Sequence, residues 1–317
     1  EYAKDHDKPD IILASSVHPL TLVAGIKIAK KFGIKCICEV RDLWPETLIA
    51  FGKLKKQSLL AKSLYQCEKW IYKKADALWF PMAGAVDYLK EQKWDVAQGG
   101  PINLEKVYHI NNGIDLIVAR EQRHNNPYIN KKFNNIKESR IIYAGSIREA
   151  NDIGTLLDAA KLLIGHAVFC IFGDGAERVE LENRVRKENI NNVMFFGKVE
   201  KRYIQSIVSQ ASLLLLFYAP PMRHMSKYGM SQNKFFDYLG GGRAILSNLP
   251  DAYSIINKYD CGIEKEFHDT GELAECIKNM LKNHCQMETW SRNAAKAAEI
   301  FSFEKHTEKL EKIIEKI

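Results

Sequence analysis

Short apolar runs alternate with amphipathic helical stretches along most of the chain. This alternation limits the possible folds more than any other feature. Asp10-Ile11-Ile12-Leu13-Ala14 reads as a buried strand, followed by a helix from about Pro19 to Phe32 that stops at Gly33. Next come the strand Lys35–Val40, a lysine-rich helix from about Ser58 to Lys74, the strand Ala77–Phe80, a short helix and the run Lys106–Ile110. Strands separated by helices build parallel βαβ units rather than hairpins. On the lysine-rich helix, Leu59, Leu60, Leu64, Cys67, Trp70 and Ile71 are expected to share the buried face.

Residues 115–139 break the rhythm. They are polar, rich in asparagine and poor in helix signals, which suggests a linker. The alternation restarts with the strand Arg140–Tyr143. It continues through strands Val168–Phe172, Val193–Phe196, Ser212–Phe217 and Ala244–Leu246, with helices between them. At ~150 residues per domain, the 317-residue chain holds about two domains. The expected class is α/β with two doubly wound, Rossmann-like domains. Residues 1–115 form a first domain that is incomplete at its start, 116–300 form a complete second one, and a helical tail covers 301–317.

Composition narrows the function classes. Apolar residues make up 46% and charged residues 27%, which excludes disorder as the main story. No apolar run approaches the ~18–20 residues of a membrane span. The seven scattered cysteines read as reduced thiols, which points to a cytoplasmic protein. Net charge is +7, and residues 20–75 hold twelve Lys and Arg against four Asp and Glu. That basic window is either a solvated face or a surface that attracts anions: a membrane leaflet, a lipid diphosphate or nucleic acid. Zinc-finger spacing and aromatic–basic RNA motifs are missing, so nucleic acid is the weakest of the three. Asp5-His6-Asp7 reads as a solvated turn, and Cys36 and Cys38 read as core thiols, so no metal site is expected. His18 opens a helix, where it could touch a ligand.

Four groups have the makings of a site. Gly173-Asp174-Gly175 lies between a strand and a helix, where glycines admit close backbone approach and helix amides meet anions; a plain tight turn explains it equally well. In Gly229-Met230-Ser231-Gln232-Asn233-Lys234-Phe235-Phe236-Asp237, Ser231 is expected to cap a helix. Lys234 then lies beside the positive end of that helix, where it suits a diphosphate, or it simply pairs with Asp237 one turn on. Asp237 could instead accept hydrogen bonds from a ribose diol. In Ala144-Gly145-Ser146-Ile147-Arg148, a strand ends where doubly wound folds bind ligands, and Arg148 could reach a phosphate or remain a surface arginine. Arg41-Asp42-Leu43-Trp44-Pro45-Glu46 gathers charge and an indole at the end of another strand; its plainer alternative is Arg41 paired with Asp42 beside a packed Trp44-Pro45.

Taken in order, these residues resemble the GT-B-fold, family 4 type glycosyltransferases of the bacterial capsule and O-antigen branch. Arg41-Asp42-Leu43-Trp44-Pro45 is similar to a first-domain loop of that branch. Asn111-Asn112-Gly113-Ile114-Asp115 is similar to its interdomain junction, Gly173-Asp174-Gly175 to its Gly-Asp-Gly turn, and Ser231–Gly242 to its donor helix. Phe301-Ser302-Phe303 resembles the start of the helix that returns to the first domain. The resemblance implies a retaining, metal-independent transfer from a UDP-sugar to a lipid-diphosphate-linked saccharide, at the cytoplasmic face of the inner membrane and without a cofactor. It assigns Arg148 and Lys234 to the diphosphate and Asp237 to the ribose. Gly145, Gly173, Asp174, Gly175, Val199, Gly229, Met230 and Ser231 would border the donor, with the backbone of Phe196–Val199 against the base. Arg41 and Asp42 would face the acceptor.

The chain also departs from the pattern. Gly229 stands where the family has a glutamate eight residues before the acid at 237, and backbone amides of 229–231 would have to take over its sugar contact. Asn151-Asp152 stands where a Lys-Gly pair is expected, so Arg148 or Lys234 would carry that charge. The sequence begins at Glu1 with what resembles the fourth strand of the first domain. At ~30 residues per βα unit, roughly 80–90 residues of the family pattern precede it. Two rival activities fit the same motifs: a GT-B-fold UDP-sugar epimerase and a non-catalytic nucleotide-binding remnant. A nicotinamide dehydrogenase ranks last, because no strand–GxGxxG–helix unit occurs.

Overall fold

The computed structural model describes residues 8–16 and 18–317, so Asp5-His6-Asp7 lie outside the described residues. The chain divides into two compact units. The first takes the residues up to Asn111 together with His224–Ser231 and His306–Ile317; the second takes Asn112–Arg223 and Gln232–Lys305.

In chain order the first unit runs β1 (Ile11–Ser15), α1 (Pro19–Phe32), β2 (Lys35–Glu39), α2 (Leu59–Lys74), β3 (Ala77–Phe80), α3 (Ala85–Glu91) and β4 (Val107–His109). The four strands are parallel in the order β1-β2-β3-β4. Local chemistry sets the helix ends. Pro19 supplies the first turn of α1, and Gly33, at φ 62°, closes it in the left-handed conformation. The Ser58 hydroxyl accepts the Ala61 amide to open α2.

The buried face of α2 is not the one its leucines suggest. Ala61, Glu68, Ile71 and Tyr72 turn inward, while Leu59 is 84% exposed, Leu60 61% and Trp70 37%. The inward carboxyl group is tolerated because it is hydrogen-bonded. The hydroxyls of Tyr72 and Tyr88 each donate to Glu68 at 2.6 Å. Cys36 and Cys38 are buried with sulfurs 3.9 Å apart, as core thiols.

The second unit runs α4 (Leu116–Asn125), α5 (Lys131–Asn134), β5 (Ser139–Ala144), α6 (Ile153–Lys161), β6 (Ala167–Phe172), α7 (Arg178–Lys187), β7 (Val193–Gly197) and α8 (Lys201–Val208). Then follow β8 (Leu213–Leu216), α9 (Asn233–Gly241), β9 (Ile245–Ser247), β10 (Gly262–Glu264), α10 (Thr270–Lys282) and α11 (His284–Ile300). The helix α12 (Phe303–Lys316) places Ile313 in the first unit, against Ile37, Ala77 and Ile110. The stretch 115–139 is thus more helical than its composition suggests. Asp115 accepts the Val118 amide at 2.9 Å and Asn130 accepts those of Lys132 and Phe133, so the polar residues that looked like linker are helix caps.

The six strands of the second sheet are parallel in the order β10-β9-β8-β5-β6-β7. Progress along the sheet reverses between β5 and β8. In a doubly wound sheet that reversal opens a crevice at the carboxyl ends of the two strands, where ligands bind. Among the described residues, no helix is long and apolar enough to cross a membrane.

Candidate functional site

The loops that follow β5, β6, β7 and β8 all emerge at the same end of the second sheet, because its strands are parallel. Gly145 and Arg148 follow β5, Gly173-Asp174-Gly175 follows β6, Val199 follows β7, and Tyr218 follows β8. Lys234, in the first turn of α9, reaches into this set. Its ammonium donates to Asn151 Oδ1 at 2.7 Å and to the Tyr143 hydroxyl at 3.4 Å. It also lies 4.9 Å from the centre of the Tyr143 ring and 4.8 Å from that of Tyr218.

The surroundings of Lys234 are themselves fixed. The Tyr143 hydroxyl donates to the Ser146 carbonyl at 2.7 Å, and the Asn151 amide donates to the Ser146 hydroxyl at 3.3 Å. The Ala144 amide donates to the Tyr238 hydroxyl at 2.7 Å. Among the described residues, Lys234 has no carboxylate partner, and the expected pair with Asp237 is not formed. Burial and then the nearby Arg148 guanidinium push the Lys234 ammonium down to about 7. Arg148 is exposed at the rim. Two cations thus converge where the helix dipole is also positive, and among the described residues no carboxylate pairs with either.

Asp237 points elsewhere. It lies near Lys201 and Gln205 of α8, and burial raises its carboxyl above the usual range while Lys201 opposes the shift. Positions three apart on a helix diverge by about 60°, and here Lys234 faces β5 and β8 while Asp237 faces α8. Ser231 is not the cap of α9. Gln232 holds that position without a side-chain hydrogen bond, and Gly229, Met230 and Ser231 group with the first unit. Tyr228, just before them, is buried edge-on to Tyr88, and the Gly84 amide donates to its carbonyl at 2.7 Å.

The glycines of Gly173-Asp174-Gly175 serve packing between loops. A Cβ on Gly173, whose φ is +140°, would lie 1.7 Å from the Gly145 carbonyl oxygen. One on Gly175 would lie 2.0 Å from the Ile147 oxygen. Asp174 accepts the Gly175 amide at 2.9 Å and lies 3.7 Å from Arg178. Gly145 borders the cation, since its Cβ would meet Lys234 Cδ at 3.3 Å. Gly173→Ala should therefore cost at least about 2 kcal/mol of stability through backbone collision and strain. Chemical denaturation measures this, and a loss of UDP affinity with unchanged stability would instead place Gly173 against the ligand.

In the first unit, Arg41 and Asp42 are exposed at the carboxyl end of β2 and form no ion pair with each other among the described residues. Burial of its carboxyl raises Asp42, against the pull of Arg41. Leu43 is fully buried, and the rings of His18 and Trp44 lie 5.8 Å apart. Trp44 Nε1 is buried without a hydrogen-bond partner. Beneath this loop is a cavity of about 10 Å³, room for a single water, bordered by Ser16, Asp42, Trp44, Glu68 and Tyr72. Glu46 belongs to the packing: it is buried and accepts the Tyr65 hydroxyl at 2.6 Å. Motif matching passed over Asn151, Tyr143, Tyr218, Lys201 and Gln205. Only the missing lysine at 151 gave any signal, because it left the phosphate charge to be supplied from another element.

Residues 125–218 match the family described as "Glycosyl transferases group 1". That stretch is similar to a group 1 glycosyl transferase domain. It carries Gly145, Arg148, the Gly-Asp-Gly turn and Val199, and it ends before Lys234 and Asp237. The chain is 26% identical over 192 residues to the "Probable glycosyltransferase WbjE" of Pseudomonas aeruginosa. The match covers 60% of this chain and 46% of that protein, so the chain spans about half the length of this curated relative. Among solved structures it is similar to Anabaena HepE in complex with UDP. The TM-score is 0.72 at 13% identity, over 100% of this chain and 80% of that one. It is also similar to sucrose-phosphate synthase from Thermosynechococcus elongatus, with a TM-score of 0.73 at 18% identity over 97% of this chain and 73% of the other. These likenesses establish the GT-B fold.

Proposed function

We propose that this chain is a retaining glycosyltransferase. It moves a sugar from a UDP-sugar to a lipid-diphosphate-linked saccharide in bacterial capsule or O-antigen synthesis, on the cytoplasmic side of the inner membrane. The observation that carries this reading is the Lys234 ammonium, held by an amide and two tyrosines beside Arg148 and without a carboxylate partner among the described residues. A diphosphate is the ligand that completes it. The group 1 match and the UDP and UDP-glucose complexes of HepE support a UDP-sugar donor.

In this reading the bond from the sugar's anomeric carbon to the diphosphate breaks as an acceptor hydroxyl bonds to that carbon on the same face, its proton passing to the leaving diphosphate. Lys234, Arg148 and the first-turn amides of α9 stabilise the charge that develops on the leaving diphosphate, without metal or cofactor. Gly145, Asp174 and Val199 border the nucleotide, and Asp237 holds the ribose. Arg41 and Asp42 serve the acceptor side, and Gly229, Met230 and Ser231 offer backbone to the sugar.

The decisive experiment is calorimetric titration with UDP, GDP and NAD. UDP should bind best, and Asp237→Ala should weaken it by about 1–3 kcal/mol through lost charge-assisted hydrogen bonds. Equal or absent binding of all three nucleotides would remove the donor assignment.

The membrane contact has its own candidate. Leu59 and Leu60 are exposed at the start of α2, in sequence among Lys53, Lys55, Lys56 and Lys62. Apolar side chains set among cations suit an anionic leaflet. The pair Leu59→Asp with Leu60→Asp should lower cosedimentation with phosphatidylglycerol vesicles at least tenfold. Unchanged cosedimentation would exclude this surface.

A further inference from the structure

The second unit carries a groove that shares only Phe196 with the nucleotide reading. Its volume is about 970 Å³, and it runs along β7 from Asn191 to Phe196. β7 is the last strand in the sheet order, so among the described residues no strand lies on its outer side. An open edge of this kind presents backbone amides and carbonyls at strand spacing, and folded proteins usually cover or blunt it. Here the groove keeps it accessible. The floor is apolar, with Met194, Phe195 and Phe196 partly exposed.

The walls are basic. Lys131 and Lys132 of α5 and Arg178 and Arg186 of α7 line it. The one lining carboxylate, Glu182, is already engaged by Arg178 at 2.7 Å and lies 3.7 Å from Arg186. Lys131 and Lys132 are exposed, and neither has a carboxylate partner among the described residues. Next to the lining in sequence, Ile129 is 80% exposed and Val179 70%.

We propose that this edge is a docking site for an acidic, extended peptide segment that adds a seventh strand beside β7. The open ladder supplies main-chain hydrogen bonds, the apolar floor takes every second side chain, and Lys131 and Lys132, whose charges no carboxylate among the described residues meets, select for acid residues. The groove is long enough for the task, since five strand residues span about 17 Å and a neighbouring strand needs about 4.8 Å of lateral room. A second copy of this chain fits poorly, because edge-to-edge pairing would bring the same cations against one another. A sugar chain or nucleic acid would use the charges and leave the ladder unread.

The test uses a fluorescein-labelled probe of alternating glutamate and valine, seven residues long, titrated by anisotropy. Two controls accompany it: the same peptide methylated on alternate backbone nitrogens, and its lysine counterpart. The acidic peptide should bind, alternate methylation should weaken it at least tenfold, and the lysine peptide should fail. The double variant K131E/K132E should also weaken binding at least tenfold, with an unchanged melting temperature because both side chains are exposed. Amide exchange over residues 193–197 should slow when the peptide is bound. Absent binding, or equal binding of the methylated peptide, overturns strand addition. Sedimentation velocity covers the remaining alternative, since a dimer blocking the edge in the wild type would assign it to a second copy and overturn the proposal.

Discussion

Lys234→Met should weaken UDP binding about 10- to 100-fold and at the same time make the protein more stable. Both effects have one cause. The ammonium is held by the Asn151 amide oxygen and two tyrosine rings, with no carboxylate among the described residues, and burial lowers it to about 7. Its unfolded value is near 10.5. A depressed lysine means that folding disfavours the charged form. The penalty is fully present below pH 7 and fades as pH rises from 7 towards 10.5. Methionine keeps most of the stem and removes the charge, so the variant should gain about 1–4 kcal/mol at pH 7 or below. It should also lose the rise in stability between pH 7 and 10.5. UDP affinity should fall about 10- to 100-fold, the worth of one or two charge-assisted hydrogen bonds. In the wild type the bound diphosphate should raise the lysine, so binding takes up part of a proton near pH 7 and weakens as pH rises above it. Calorimetry in buffers of different ionisation enthalpy reads that uptake. A swap completes the test: because Asn151 touches the ammonium, Asn151→Lys combined with Lys234→Asn should return affinity to within about tenfold of the wild type. Wild-type affinity in Lys234→Met would take the lysine out of the phosphate site.

Parallel strands buried on both faces are continuous apolar runs, and Leu213–Leu216 or Val168–Phe172 cannot be mistaken for amphipathic helix. That is why the two sheets and their helices were legible. The caps were legible singly and misread together. Asp115 and Asn130 have the chemistry of N-caps, but a dense set of asparagines around them carries the composition of a loop. Lys234 stood out because a lysine in the first turn of a helix, against the dipole, calls for an anion. Its partners did not. Tyr143 and Tyr218 are far apart in sequence and meet because β8 pairs with β5, a pairing that no local pattern encodes. The glycine turn shows the same limit. Three residues look alike whether a ligand or the Gly145 carbonyl fills the space a Cβ would need.

The helix α2 contains the sharpest divergence between pattern and packing, and it yields the second large effect. Periodicity counts Glu68 as polar and turns it outward; the fold buries it between two tyrosine hydroxyls. Burial pushes its carboxyl up to about 8, and the two hydrogen bonds only partly oppose this. A raised carboxylate contributes most to stability below its unfolded value, near 4.5, where both states hold the proton. Between pH 4.5 and 8 the unfolded chain is ionised while the folded one keeps its proton, so stability falls as pH rises. The total fall is about 3–5 kcal/mol, and above pH 8 it is complete. Glu68→Gln keeps the shape, and its amide can still meet both tyrosine hydroxyls, since each can donate or accept. The variant should therefore lose this downward slope and be more stable than the wild type by up to that amount at pH 8 to 9, while the two converge near pH 4.5. Urea unfolding across this range measures both curves. Parallel curves would mean that Glu68 is ionised in the folded protein at pH 5, its charge held by the tyrosine pair alone. The slope is separable from that of Lys234, which has the opposite sign and runs between pH 7 and 10.5. It is separable from that of Glu46 as well, whose carboxyl is held below its usual range by Tyr65, His224 and Lys56 and so acts below pH 4.5.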